Sequence, residues 1–146
     1  MYRIRHILAP VDFSASSRAA LQQALEFAER FDAKVEVLHV WEVPHTVRPD
    51  LLVWIEGSDG KPVTDIVSED ASRQMDELLA ALSPEHSARV HANLVDGDPV
   101  DTIVEMSKSG TYHLTTMGTH GRRGLSHLVI GSVAEKVVRQ AACPIL

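Results

Sequence analysis

An α/β fold built on a parallel sheet, with helices covering both faces, is the class this sequence predicts. Two observations predict it. Short runs of β-branched and apolar residues alternate along the chain with stretches of helical periodicity, the sign of a parallel sheet joined by crossover helices. The length of 146 residues, 45% of them hydrophobic, suits one domain with a single buried core.

The elements follow in order. Arg5 to Val11 reads as a first strand, mostly apolar and ending about Pro10. Ser14 is placed to cap the helix that follows, in which Leu21, Ala24, Leu25, Ala28 and Phe31 recur at helical spacing and define a buried stripe. Lys34 to Val40 is a second strand, carried by Val35, Val37, Leu38 and Val40.

From Trp41 to about Thr64 the periodicity fails, punctuated by Pro44, Pro49, Gly57, Gly60 and Pro62. Within it, Leu51-Leu52-Val53-Trp54-Ile55 is apolar enough to need cover. It reads as a short helix packed on the domain, or as a lid or partner-facing patch, and packing is the expectation for Trp54. Long irregular segments in compact domains are often functional.

Helical spacing returns with Val67, Ala71, Met75, Leu78, Leu79 and Leu82, ending before Pro84. Val90, Ala92 and Leu94 then alternate as a strand, with His91 and Asn93 on its other face. Val100, Ile103, Val104 and Ser107 mark a third helix that stops near Gly110. Tyr112 to Met117 is a fourth strand, and Ser132 to Ala141 a last helix whose inner stripe is Ala134, Val137, Val138 and Ala141.

Between that strand and that helix lies Gly118-Thr119-His120-Gly121-Arg122-Arg123-Gly124, with nine residues separating Gly121 from Gly131-Ser132. Glycines let backbone N–H groups converge on an oxyanion, and a helix N-terminus adds unpaired donors and a favourable dipole. Ser132 is suited to cap the helix or to donate its hydroxyl to a phosphate oxygen. In an open parallel sheet, ligands bind beyond the carboxyl ends of the strands. The ends of strands one and four, Pro10–Asp12 and Met117–Gly118, are the expected walls of such a crevice.

The spacing Gly-x2-Gly-x9-Gly-Ser resembles the nucleotide-binding signature of the universal stress protein family, in its ATP-binding branch. The resemblance extends along almost the whole chain. Ile7-Leu8-Ala9-Pro10-Val11-Asp12-Phe13-Ser14 is similar to the family's first strand and turn, and Leu38-His39-Val40 to the end of its second strand. Gly97-Asp98-Pro99 resembles the turn before its third helix, and Ala142-Cys143-Pro144-Ile145-Leu146 the entry of its last strand. The 41–64 segment matches nothing specific, as is usual where the family varies.

The resemblance implies one universal stress protein domain over residues 1–146, with a flavodoxin- or Rossmann-like five-stranded sheet of order 3-2-1-4-5. It implies an adenine nucleotide (ATP, AMP or ADP), with magnesium or manganese bridging the phosphates. Val40 would offer backbone groups to the adenine edge, with Pro10 and Val11 as apolar walls and Asp12 facing the ribose or the cation. Met117, Gly118, Thr119, His120, Gly121, Arg122, Arg123 and Gly124 would wrap the phosphates, and Gly131, Ser132, Val133 and Ala134 would close the site. Asp12 also reads as a turn residue capping local donors, Arg122 and Arg123 as solvated loop arginines, and His120 as a histidine that holds the turn. The family's last strand often helps two subunits pair, so a homodimer is implied, although relatives carry several more apolar residues where this chain stops at Leu146. Two positions depart from the family pattern: His113 stands where Asp is common, and Thr115-Thr116 where apolar residues are usual. Those threonine hydroxyls need partners if buried.

Composition and motifs exclude several classes. The formal net charge of −6 argues against nucleic-acid backbone binding. No apolar run reaches membrane-spanning length, the opening Met1-Tyr2-Arg3-Ile4-Arg5-His6 lacks the apolar centre expected of a signal peptide, and the single cysteine, Cys143, gives no disulfide framework. A soluble, cytoplasmic protein is therefore expected. Walker, kinase, Gly-x-Gly-x-x-Gly and Gly-x-Ser-x-Gly motifs are absent, and the eight histidines show no His-Glu-x-x-His. The function the resemblance implies is a nucleotide-responsive regulator in stress response, acting on an unidentified protein partner. Slow ATP hydrolysis or autophosphorylation is the most catalysis expected, since no general base stands out. The alternatives are a nucleotide-free interaction module and an ATP-using enzyme of the adenine α-hydrolase type.

Overall fold

A computed structural model describes residues 3–54, 56, 57, 59–120 and 130–146. Strand β1 (His6–Pro10) leads through a tight turn into helix α1 (Ala15–Phe31) and strand β2 (Lys34–Trp41). A small antiparallel hairpin, β3 (Leu52–Val53) with β4 (Lys61–Pro62), precedes helix α2 (Val63–Ala80). The single turn α3 (Pro84–Ser87) leads to strand β5 (Val90–Asp96), helix α4 (Pro99–Lys108), strand β6 (Leu114–Thr115) and helix α5 (Ser132–Gln140).

The main sheet has the order β5-β2-β1-β6 and every pairing in it is parallel. Only the C-terminal segment occupies the fifth position. Ile145 makes an isolated parallel bridge to Thr115, and Leu146 N–H donates to Thr115 O at 2.9 Å. The predicted order 3-2-1-4-5 thus holds, with its last member a bridge instead of a full strand. The predicted fourth strand is likewise shorter in ladder terms, because Tyr112 and Met117 lie outside β6.

Alternation along the strands sends successive side chains to opposite faces. Ile7, Ala9, Val11, Val35 and Val37 pack under α1 and α2, against Leu21, Ala24, Leu25, Ala28, Met75 and Leu78. Leu8, Leu38 and Val40 face α4 and α5, against Ile103, Val104 and Val137. Both faces of the sheet are therefore covered, as its β-branched runs require.

Three packing expectations are corrected. Phe31 ends the α1 stripe but is 45% exposed in the helix's last turn, its ring stacked on that of Phe27 at 5.8 Å. Val138 is 58% exposed, since the inward face of α5 is made by Val133, Ala134 and Val137. The Leu51–Trp54 run holds the two-residue strand Leu52–Val53 and no helix. Leu51 and Leu52 are exposed, and Trp54 is 72% exposed instead of packed. Helix α2 also ends at Ala80, short of Leu82, which nonetheless packs against the core.

Candidate functional site at the carboxyl edge of the sheet

The turn between β1 and α1 forms the floor of the site. Val11 N–H donates to Leu38 O at 2.8 Å, and the next residue of β2, His39, donates from Nδ1 to Val11 O at 2.7 Å. Since a carbonyl only accepts, the proton sits on Nδ1. Asp12 Oδ1 accepts from Ser14 N–H at 3.0 Å, and Asp12 N–H donates to Ser17 Oγ at 3.3 Å. Ser14 caps α1 as its position predicted, its Oγ accepting from Ser17 N–H at 3.2 Å. Asp12 thus performs the turn-capping role read for it, while its carboxylate stands half-buried at the end of β1.

The second wall is the stretch after β6. Met117 packs into the α4/α5 core, and Gly118 lies directly against the first turn of α1. His120 N–H donates to Ser16 Oγ at 3.4 Å, and its ring nitrogen Nδ1 is 2.9 Å from the Thr119 hydroxyl. Gly131 N–H donates to Thr119 O at 2.6 Å, which brings the start of α5 back to the end of β6. Gly121, Arg122, Arg123 and Gly124 lie outside the described residues.

Gly131, not Ser132, is the N-cap of α5, a correction with a consequence. A glycine cap carries no side chain, so the cap residue supplies no side-chain acceptor to the first-turn N–H groups of Ser132, Val133 and Ala134. Ser132 itself is exposed at the first helical position, Val133 is half-buried, and Ala134 is buried.

The third wall is the end of β2. Val40 is buried, and a cleft of about 180 Å³ opens there between His39, Val40, Trp41 and Glu42 and the α2 residues Val67, Asp70, Ala71 and Gln74. A larger depression of about 450 Å³, lined by Glu29, Glu85, Ala88 and Arg89, lies at the amino ends of β2 and β5. The smaller cleft is the one at the carboxyl end of the strands, the end at which open parallel sheets bind their ligands.

The described site residues from Pro10 to Asp12, from Met117 to His120 and from Gly131 to Ala134 therefore border the same edge of the sheet, with Val40 at the end of the adjoining strand. Sequence reasoning missed three participants: His39, Phe13 and Ser16. One signal was available for the first, a histidine inside the otherwise apolar run Val37-Leu38-His39-Val40. Phe13 adopts a left-handed backbone (φ 64°), for which its residue type gives no warning.

The fold defines a doubly wound α/β protein, a class whose ligands bind beyond the strands' carboxyl ends. More specifically, the chain belongs to the universal stress protein family, whose model matches residues 3–146. It is 30% identical over 142 residues to universal stress protein MJ0531 of Methanocaldococcus jannaschii, an alignment covering 97% of this chain and 80% of that one. The solved structure of protein MJ0577 superposes with a TM-score of 0.75 at 24% identity, covering 100% of this chain and 94% of that one. The universal stress protein of Archaeoglobus fulgidus in complex with dAMP superposes with a TM-score of 0.63 at 21% identity, covering 100% and 98%.

Proposed function

We propose that this stress-family protein is a regulator that binds an adenine nucleotide at the carboxyl edge of its sheet. The observation that carries the reading is the Gly131 N–H bond to Thr119 O at 2.6 Å. It draws a helix start without a side-chain cap alongside Gly118–His120, and such a helix start favours phosphate. The dAMP complex of the Archaeoglobus fulgidus relative supports adenine recognition on this fold.

In this reading Val40 presents backbone groups to the adenine edge, and Pro10 and Val11 form the apolar walls. Asp12 faces the ribose or a divalent cation. The stretch from Met117 through Gly121, Arg122, Arg123 and Gly124 wraps the phosphates, and Gly131 to Ala134 close the site. The nucleotide is ATP, AMP or ADP. Magnesium or manganese would arrive with the phosphates, which supply most of such a cation's ligands, and Asp12 is the carboxylate suited to join them. Residues 1–146 serve as one domain, acting in the cytoplasm as a homodimer that signals to a regulatory protein partner. Among the described residues no helix is long and apolar enough to cross a membrane.

Calorimetric titration of nucleotide-stripped protein with ATP and AMP, each with and without magnesium, tests the reading. Micromolar or tighter binding is expected, with ATP requiring the metal. Gly121→Val is expected to abolish binding while unfolding stays cooperative. Absence of heat for every nucleotide overturns the proposal.

A further inference from the structure

We infer that His39 is a positioning residue of this site, holding the β1–α1 turn so that the Asp12 carboxylate is preset for its ligand. The inference rests on the nucleotide reading above and adds to it a residue that lines the floor without belonging to the glycine signature.

Three observations converge on His39. It is 8% exposed, in a strand whose neighbouring residues are apolar, so its polar atoms need a reason to be there. Its Nδ1–H donates to Val11 O at 2.7 Å, one peptide before Asp12. Its ring lies 4.4 Å from the Phe13 ring, one residue after Asp12. His39 therefore grips the chain on both sides of Asp12.

Phe13 needs that grip. A bulky residue at φ 64° is strained, and such conformations persist only where the surroundings over-determine them. The ring contact with His39 supplies one constraint, and the bond from Arg18 Nε to Phe13 O at 3.2 Å supplies another. Together they direct the chain from β1 into α1 with Asp12 Oδ1 seated on Ser14 N–H. A carboxylate held in this way loses little conformational freedom when a ligand arrives.

The test separates the ring from the donor. His39→Phe keeps a ring beside Phe13 but loses the hydrogen bond, whereas His39→Asn places an amide N–H where Nδ1 stood. ATP with magnesium is titrated into wild type, both variants, Asp12→Ala and the double variant His39→Phe/Asp12→Ala, with unfolding midpoints measured on the same samples. His39→Phe is expected to weaken ATP roughly tenfold, His39→Asn to recover most of that loss, and the double variant to bind no more weakly than Asp12→Ala alone. Unchanged affinity in His39→Phe overturns the inference while leaving the nucleotide reading intact, as do losses that simply multiply in the double variant. A wild type that binds no ATP overturns both. The wild-type imidazole offers a readout that needs no variant: nitrogen NMR should show a proton on Nδ1 and a His39 shift on adding ATP. A proton on Nε2 alone, or no shift, overturns the inference.

Discussion

Gly118 is packed so closely on Ser16 that no side chain fits between them. A Cβ at position 118 would stand 2.6 Å from Ser16 Oγ and 2.8 Å from both Ser16 C and Ser17 N. A serine hydroxyl can rotate away, but helix backbone cannot. The glycine is thus required for close approach of the β6 exit to α1, independently of any freedom in φ.

Gly118→Ala is accordingly expected to destabilise the protein by about 1–3 kcal/mol, the usual cost of overpacking a tight contact. Urea unfolding checks this. Stability equal to wild type would mean that the start of α1 can retreat.

Thr116 shows the opposite defect. It is 1% exposed, and its Oγ1 finds no partner among the described residues, whereas the neighbouring Thr115 hydroxyl lies 3.1 Å from Cys143 Sγ. Thr116→Val keeps the shape and removes a desolvated hydroxyl, so it should stabilise by about 1 kcal/mol. A lower unfolding midpoint in the variant would refute that account.

Tyr112 Oη donates to Glu36 Oε2 at 2.7 Å, and Asn93 Nδ2 donates to the other carboxylate oxygen at 2.9 Å. Burial, reinforced by the hydrogen bond to Glu36 and its charge, raises the Tyr112 phenol above its ordinary range. The sign follows from linkage. Above about pH 10 the unfolded phenol loses its proton while the folded one keeps it, so this contribution is complete below that pH and declines as pH rises. Wild type should lose stability more steeply than Tyr112→Phe in alkaline buffer. Parallel profiles for the two proteins would contradict the assignment.

Trp54 follows β3 and is exposed, and a methyl at Gly60 would come within 3.3 Å of its ring. Its contact is with the hairpin's own turn, not with the core. Trp54→Ser should therefore alter stability by no more than about 0.5 kcal/mol. Loss of the most readily quenched tryptophan fluorescence should accompany the substitution. A larger stability loss would show that the hairpin is pinned through this side chain.

The frame of the fold was legible in the sequence because its signals are local. The cap at Ser14 lies within three residues of the N–H group it serves, Ser17, and the apolar run of β2 is contained in eight residues. The glycine signature also reads locally, as does the Thr115-Thr116 oddity. Phe31 and Val138 misled for the converse reason. Helical spacing says which residues share a face, but not how far the neighbouring layer extends over it.

What the sequence by itself determined is the order of strands and helices, the place of the glycine-rich stretch and the membership of the family. What only the tertiary structure decided is which distant groups meet at this edge of the sheet. His120 meets Ser16 across 104 positions, and His39 meets Val11 across 28. Such contacts depend on the parallel register of β1 with β2 and β6 and on the packing of α1. No short window of residues encodes them, because they exist only once the whole sheet has assembled and buried its two faces.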